Sequence, residues 1–511
     1  MIARGTRGSR VGRCNIGVLV APRLTRIPGT SLRIRLATVL ILAVAVLGAG
    51  APRGAAAAGL ALSASFPGAP DDGGGVPPDP QGAAGPDHLL VMLNTTFVAQ
   101  RKSDGAAVKR WTPAGFWAAV SGGDLLFDPR VAWDALAGRW IAAIATEGAA
   151  GPPAVLLAVS DGSDPTLGWT FRKLDVGGGN YAEFPLVGYG GRWIVVTSNL
   201  VSPSGYLAGS AIWAIEKTPG VDVSSAARFT LSSPGSPIAP AATLDSDEPD
   251  AFLVQQLSGN DLGRGRARLF RVTDEGGAPA LASPKIVAAP ATWSALPSPI
   301  ESLPQAGTTR RIVSDQDEFA SACVRNGKIW AVQTATVPAT TAAPMHTAVQ
   351  WWRITRDGGL DGFGRIEDPR GATWLGFPSI AVNASEQVLI GYSLFSGGAF
   401  ASAGYSVRSG CGGDAALSMV HFLKPGEAPY ERLDGGGHNR WGDLSQTVVD
   451  PDGLRLWTFQ EYAAAPEGGA SRWGTWWGGF APSDGRSEAC VAPAAPRAPA
   501  RIGAGSRRAP G

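Results

Sequence analysis

The chain has 511 residues, of which 17% are charged and 44% are hydrophobic, and it contains 69 glycines, 40 prolines and 17 tryptophans. Few charges combined with many turn-forming and aromatic residues are typical of a β-rich protein and argue against a helical bundle. The net charge of +2 hides an asymmetry, because residues 1–35 hold eight arginines and no acid, and residues 481–511 carry +3. Residues 36–480 therefore carry −9. An acidic body argues against nucleic acid as a partner, since phosphate binding needs clustered cations.

Residues 1–58 have the pattern of an export signal preceded by a long arginine-rich leader. Arg33 and Arg35 come just before the apolar run LATVLILAVAVL (36–47), and small residues follow as far as AAAAG (55–59). These small residues supply an Ala-x-Ala type of cleavage site. The apolar run is shorter than the roughly 20 residues that span a bilayer. We therefore expect signal cleavage, a secreted protein (extracellular, cell-surface or periplasmic), and no stable membrane insertion afterwards.

Residues 59–78 are rich in glycine, proline and aspartate and are predicted to be a flexible linker. From Asp79 to residue 480, one pattern recurs seven times: a polar or proline-marked start, a short run of small and β-branched residues, a turn of Asp, Asn or Gly, and a more apolar strand. The period of two and the turn residues predict antiparallel strands. The seven opening segments are residues 79–94, 128–145, 183–199, 240–256, 318–334, 377–393 and 442–460.

A repeated four-stranded sheet cannot bury both of its faces alone, so neighbouring copies are expected to pack face to face around an axis. The sequence therefore predicts an all-β fold, a single β-propeller over residues 79–480, most simply with seven blades of four antiparallel strands. Six or eight blades are the alternatives in number, and a linear β-solenoid is the rival architecture. Residues 481–511 are predicted to form a disordered basic tail.

The tryptophans follow the repeat. Trp140, Trp193, Trp330 and Trp457 occupy equivalent places in four copies, which favours packing between blades over a binding platform. Two adjacent pairs differ, because neighbouring residues of a strand point to opposite faces. If one member is exposed, it is a candidate for stacking on a sugar or a protein; the pairs are Trp351-Trp352 and Trp476-Trp477.

The cysteines leave two readings open. Cys14 lies in the leader, and the remaining three could supply one disulfide of undetermined pairing or stay as thiols; these three are Cys323, Cys411 and Cys490. The sequence shows no Cys/His cluster for zinc and no EF-hand spacing for calcium. We expect no cofactor, and a structural calcium ion has no motif to support it.

The first strand of each propeller blade lines the central channel, so the residues that start the repeats should meet near one mouth. They are Asp79, Asp128, Glu183, Glu318 and Asp443, accompanied by Arg130 and Arg440. Such groups could hold blades together through hydrogen bonds and ion pairs. They could instead bind a ligand, with Arg130, Arg440, Asp79, Asp128 and Asp443 as contacts, or catalyse a reaction, with Asp128, Asp443, Glu183 and Glu318 as acids and bases.

Three segments carry a family resemblance: DPR…WD…GRW (128–140), FPSIAVN (377–383) and RWGD…DP…WGT (440–475). They resemble a group of uncharacterised exported bacterial β-propeller proteins, loosely described as sialidase-like. The resemblance covers residues 79–480 and implies a propeller fold and export, but no catalytic residue. A sialidase arginine trio could be posed from Arg130, Arg310 or Arg311, and Arg440. The repeated Asp-box of sialidases is absent, its nearest match being SDGSDPTLGW (160–169) with different spacing.

These observations together predict a secreted, monomeric β-propeller that acts as an extracellular binding or scaffold module for a glycan or a protein. The alternative is a sialidase-like glycoside hydrolase that uses the carboxylates at the channel mouth. Glycoside hydrolysis needs two carboxyl groups at a defined separation across the scissile bond, and a sequence does not give that distance.

Overall fold

A computed structural model describes residues 59–149, 151–218, 226–232, 235, 237–294, 301–314, 317–338, 345–409 and 417–483. The predicted export signal, nearly all of the predicted tail, and three cysteines (Cys14, Cys411 and Cys490) lie outside these residues. The described chain is built almost wholly of β-strands, with two four-residue helices between the first sheets. The all-β prediction is therefore confirmed.

Five of the sheets have four strands each and are antiparallel throughout. The first begins after an N-terminal strand, β1 (Leu60–Pro70), and contains β2 (Gln81–Ala84), β3 (His88–Met92), β4 (Phe97–Arg101) and β5 (Ala107–Trp111). Helices α1 (Pro113–Phe116) and α2 (Ala118–Ser121) lead to the second, which contains β6 (Leu126–Asp134), β7 (Arg139–Thr146), β8 (Ala154–Ser160) and β9 (Trp169–Asp175).

One larger sheet has nine strands, because a two-residue strand joins two four-stranded units. The first unit contains β10 (Tyr181–Tyr189), β11 (Trp193–Val201), β12 (Leu207–Glu216) and β13 (Ala227–Leu231). Two short strands follow in the chain, β14 (Ile238–Pro240) and the joining strand β15 (Ala242–Thr243). β15 pairs in parallel with β10 on one side and with the second unit on the other.

The remaining strands complete the sheets. β14 heads a four-stranded sheet with β16 (Ala251–Asp261), β17 (Arg264–Glu275) and β18 (Ala278–Ala288), and a small hairpin joins β19 (Glu301–Leu303) to β20 (Ile312–Val313). The second unit of the nine-stranded sheet contains β21 (Phe319–Arg325), β22 (Lys328–Val337), β23 (His346–Thr355) and β24 (Leu360–Ile366). The next sheet contains β25 (Thr373–Val382), β26 (Val388–Ser396), β27 (Ala399–Arg408) and β28 (His421–Lys424).

The last sheet, here called the closing sheet, joins the two ends of the chain. It contains β29 (Gln446–Val449), β30 (Leu456–Glu467), β31 (Ala470–Pro482) and the N-terminal strand β1, which pairs antiparallel with β31. The prediction of a linker was therefore wrong for residues 60–70. Glycine and proline are typical of linkers, but β1 is an outermost strand. Such a strand tolerates proline where the missing N–H would have faced solvent.

The innermost strands form a closed circuit, which is the arrangement of a β-propeller. Each contacts the next in the order β2, β6, β10, β14, β21, β25 and β29, and β29 contacts β2 again. They enclose a narrow central cavity of about 60 Å³. Many strands are buried on both faces, as in β8, where Ala154–Ser160 is buried throughout. This explains why they are nearly continuous apolar runs rather than alternating ones.

The core lies between successive sheets. Trp140, Trp193, Trp330 and Trp457 are 0%, 1%, 1% and 4% exposed, which confirms that these equivalent residues pack between sheets. Several glycines make room for them: a Cβ on Gly85 would come within 2.4 Å of the Trp140 ring. Cys323 is a buried free thiol among the described residues, and its burial raises its pKa to about 12.

Candidate functional site

Four of the inner strands have the same backbone conformation at one residue, which lies just before the strand or in its first half. Asp79, Asp128, Phe184 and Phe377 have φ between +48° and +56°, and each comes directly before a proline. The left-handed conformation is uncommon for residues other than glycine, and a following proline disfavours the right-handed helical region. The strand ladder shifts its register at three of these places, between Phe127 and Arg130, Glu183 and Leu186, and Gly376 and Ser379. Such bulges re-aim side chains at strand ends.

The carboxylates of Asp79 and Asp128 accept backbone N–H groups from neighbouring sheets. One oxygen of Asp79 accepts the N–H of Asp443 at 2.7 Å, so it ties the first sheet to the closing sheet. Asp128 accepts the N–H of Phe184 at 2.9 Å and ties the second sheet to the third. Asn94 connects these two links, because its amide donates to Asp79 at 2.7 Å and its oxygen accepts the N–H of Asp128 at 2.8 Å.

Two arginines accompany these carboxylates. Arg440 donates to Asp443 at 2.7 Å and lies 3.7 Å from Asp434. Arg130 is 2% exposed; it donates to the carbonyl of Pro129 at 2.8 Å and its guanidinium lies 5.0 Å above the Phe184 ring. Its Nε and Nη2 have no hydrogen-bond partner, so its charge is balanced through space by the surrounding carboxylates.

Burial and crowding shift the acidity of this cluster. The pKa of Asp79 is raised well above its ordinary value, by burial first and then by Asp443 and Asp128, against the opposing effect of the Asp443 N–H and Arg130. The pKa of Asp443 is raised by desolvation and by Asp128, with Arg440 opposing. Burial lowers the pKa of Arg130 to about 10. Asp79, Asp128 and Asp443 therefore share a poorly solvated mouth with two guanidiniums.

Glu183 belongs to the same mouth but stands at its rim. It is exposed, and the pKa of its carboxyl is raised by partial desolvation and by Asp128 and Asp443, with Arg440 opposing. The Asp443 side chain is 37% exposed, so it is accessible to solvent as well. The structure thus brings together Asp79, Asp128, Glu183, Asp443, Arg130 and Arg440, as the sequence predicted.

The other predicted residues lie elsewhere. Glu318 is half-buried just before β21, and β21 is not adjacent in the circuit to β2, β6 or β29. The posed arginine trio is not free to bind a carboxylate together, because Arg310 donates to the carbonyl of Gly437 at 2.6 Å and Arg311 to that of Ser302 at 2.5 Å.

Two further residues of the mouth, Glu461 and Asn94, had no sequence signal that pointed to this role. Glu461, on β30, is 1% exposed, accepts the N–H of Gly442 at 2.9 Å, and has a pKa raised well above its ordinary value by burial and by Asp79 and Asp443. Asn94 reads in the sequence as a glycosylation acceptor or a turn residue. A repeat comparison restricted to strand starts overlooks both, because Asn94 follows β3 and Glu461 lies inside a strand.

A second candidate site lies at the circumference, where β23 and β24 face β25 and the segment before β28. This groove has a volume of about 550 Å³ and is lined by Trp351, the outward member of a predicted pair, while Trp352 is fully buried. In the other pair, Trp477 is buried and Trp476 is half-buried, with its indole N–H donating to Ser65 at 2.8 Å. Both pairs therefore divide as predicted.

Metal-binding clusters and membrane-spanning helices are both absent from the described ranges. No group of three or more His, Cys, Asp and Glu side chains in the described ranges is arranged to hold a metal ion. Within the same part of the chain, no helix has the length and apolar character needed to cross a membrane.

No protein-family model matches the chain, and no curated protein matches it. Similar solved structures include a protein of unknown function from Dyadobacter fermentans, with 11% identity, a TM-score of 0.37, and coverage of 68% of this chain and 93% of that one. An α-L-arabinofuranosidase from Fusarium graminearum in complex with an iminosugar inhibitor has 10% identity, a TM-score of 0.37, and coverage of 69% and 92%. Extracellular domains 1–2 of Drosophila semaphorin 1b have 8% identity, a TM-score of 0.38, and coverage of 83% and 88%. Such distant likenesses assign no family and no activity, and the propeller fold rests instead on the closed circuit of innermost strands.

Proposed function

We propose that this protein is a secreted, seven-bladed β-propeller that serves as an extracellular binding or scaffold module for a glycan or a protein. The number seven follows from counting the nine-stranded sheet as two blades, because β10–β13 and β21–β24 are each antiparallel and only the two-residue β15 joins them. Export is proposed from the apolar run at residues 36–47 and its flanking residues.

One observation carries the choice of a binding module over an enzyme: two of the carboxylates at the mouth are already used in holding sheets together. Asp79 and Asp128 accept N–H groups from the neighbouring sheets. The Asn94 side chain also donates to the Asp79 carboxylate and accepts the backbone N–H of Asp128. Groups that are fully engaged in this way are poor acids, bases or nucleophiles. The narrow cavity behind them, about 60 Å³, would hold water molecules but not a sugar ring.

A glycoside hydrolase remains the second candidate, and a specific observation favours it. Asp443 and Glu183 are solvent-accessible carboxyls with raised pKa values beside Asp128 and Arg440. Carboxyls whose pKa values are raised by desolvation and by neighbouring charges are found at acid–base sites.

The test compares turnover and stability in the same proteins. Purified protein would be screened on fluorogenic glycosides, including sialosides and α-L-arabinofuranosides, beside Asp443→Asn. We expect no turnover by the wild-type protein. Turnover that disappears in a folded Asp443→Asn variant would contradict the proposal and make the channel mouth an active site.

The structural role of the mouth is tested by Asp128→Ala. This change leaves the N–H of Phe184 without its partner and places alanine at a positive φ, so we expect the free energy of unfolding to fall by about 1–3 kcal/mol. Urea denaturation measures it. The control Asp247→Ala removes an exposed aspartate and should change stability by no more than about 0.5 kcal/mol. Equal stability of the two variants would show that Asp128 does not hold the sheets together.

A further inference from the structure

We propose that the groove beside Trp351 binds a neutral oligosaccharide. This inference rests on the proposed binding function and names its site and ligand class. The groove lies between β24 with the loop that follows it and the segment of residues 417–420, which runs beside β27 through hydrogen bonds between Ser418 and Val407. Its volume of about 550 Å³ falls within the range of natural ligand sites, unlike the central cavity.

Trp351 forms a flat platform in this groove. It stands opposite Gly364 in the β23–β24 ladder, and a Cβ on Gly364 would come within 2.7 Å of the indole nitrogen. The ring therefore lies directly on the glycine backbone with one face. Trp330 supports it from the side, with ring centroids 6.1 Å apart and planes inclined by 29°. Trp351 remains half-buried and lines the groove, where an aromatic ring can stack on the apolar face of a sugar.

The polar groups around the platform are balanced in charge. The groove is lined by two arginines, Arg365 and Arg370, and by two acids, Glu367 and Asp368. Arg365 is fixed by hydrogen bonds to Gln350 at 2.8 Å and to the carbonyl of Thr292 at 2.6 Å.

Asp368 is fixed in the same way, since it accepts from the side chain and N–H of Arg370, both at 3.1 Å, and from the N–H of Thr373 at 3.2 Å. These bonds lower the pKa of Asp368, so it is ionised at neutral pH.

A wall with fixed donors and acceptors but no net charge suits a polyhydroxylated, uncharged ligand. Hydroxyl groups can donate to the carboxylates and accept from the guanidiniums, while a sialoside or another anion would gain no net attraction. An apolar protein segment would remove these charged groups from water without offering them hydrogen bonds, which is costly. Charge and shape together therefore point to a neutral sugar chain.

The test is calorimetric titration of the purified protein with neutral xylo-, arabino-, manno- and cello-oligosaccharides, with sialyllactose as the anionic comparison. We expect at least one neutral oligosaccharide to bind and Trp351→Ala to weaken it about tenfold, since stacking contributes of the order of one kcal/mol. Met419→Arg should weaken binding as well, because it places a bulky cation in the groove. Met419 is 82% exposed, so this variant keeps its fold even if Trp351→Ala does not.

Trp476→Ala is the matched control, because Trp476 is also half-buried and next to a buried tryptophan but lies on the closing sheet. It should bind like the wild type. The inference is overturned if no neutral oligosaccharide binds, if sialyllactose binds more tightly than the neutral sugars, or if both groove variants keep wild-type affinity. These results are independent of the glycosidase screen, whose positive outcome would instead overturn the proposed function.

Discussion

At the scale of single residues, this protein keeps several carboxyls where water is scarce. Glu461 is the most enclosed, since it is 1% exposed, accepts one backbone N–H through Oε2, and leaves Oε1 without a partner. Asp79 and Asp443 lie close enough to raise its pKa further. Such surroundings disfavour the ionised form of a carboxyl.

The pH dependence of stability should reveal this. Because the pKa of Glu461 is higher in the folded chain than the unfolded value of about 4.3, its contribution to stability is complete below that pH and is lost as pH rises through the folded pKa. Glu461→Gln keeps the shape and an acceptor but cannot ionise. We expect thermal melts to show equal stability near pH 4 and a variant more stable than wild type at pH 8.

The control for this experiment is Glu467→Gln on the same strand, whose side chain is 78% exposed. It should follow the wild-type curve at every pH. A Glu461→Gln variant with the same pH dependence as wild type would mean that Glu461 is ionised in the folded protein without penalty.

At the scale of elements, β1 completes the closing sheet and joins the start of the described chain to its end. Phe66 of β1 packs against Trp457, with ring centroids 6.0 Å apart, and against Gly105, where a Cβ would come within 2.4 Å of the Phe66 ring. Gln100 and Thr475 donate to the carbonyls of Pro67 and Ala69 at 3.1 and 2.6 Å. Without β1, the edge of β31 would be exposed and open to aggregation.

Phe66→Ala should lower the free energy of unfolding by about 2 kcal/mol, because a half-buried phenylalanine loses roughly half of what a fully buried one does. Leu62→Ala, on the same strand but 43% exposed, should have a much smaller effect. Chemical denaturation measures both. If Phe66→Ala lowers the free energy of unfolding no more than Leu62→Ala does, β1 contributes only its backbone hydrogen bonds.

The sequence predicted strands well where both faces are buried and poorly at the edges. The segment at Trp140 was recognised because an apolar run follows an Asp and Gly turn, and such a signal is local. Residues 60–70 were missed because the partner of Leu60 is Pro482, a pairing no local pattern reveals. Gly68 looked like a linker glycine, yet a Cβ there would come within 2.4 Å of the Phe459 ring, so this glycine is needed for packing.

At the scale of the whole molecule, the repeat itself predicted the propeller and the convergence of its strand starts. The link between Asp79 and Asp443 follows from closure of the circuit, and closure could be expected from the repeat alone. The use of carboxylates as acceptors between sheets was one of the alternatives that the sequence offered, and Asp79 and Asp128 have this role. The positive φ at these two residues is a feature that no residue pattern predicted. Likewise the groove at Trp351 brings β23 and β24 together with residues 417–420, which are distant in the sequence, so no local pattern predicted it.

Closure also predicts tolerance to a change of termini. Ser483 donates its N–H to the carbonyl of Gly59 at 2.7 Å, and Gly59 donates to the Ser483 hydroxyl at 3.0 Å, so the ends of the described chain adjoin. A circular permutant that joins these residues and opens the chain between Gly276 and Gly277, in an exposed turn, should fold with a melting temperature within about 5 °C of wild type. Circular dichroism would test it. An unfolded permutant would mean that folding depends on where the chain begins.

The antiparallel pairing of β1 with β31 has a mechanical consequence. Leu60 lies opposite Pro482, so tension applied to the two ends would pull on the last rung of this ladder and not along its length. The hydrogen bonds would then break one after another, each bearing the whole load in turn, instead of sharing it. The resistance of such a joint is set by a single bond rather than by the sum of many. β1 would therefore be the first strand to detach under force, at low tension, before any other sheet is loaded.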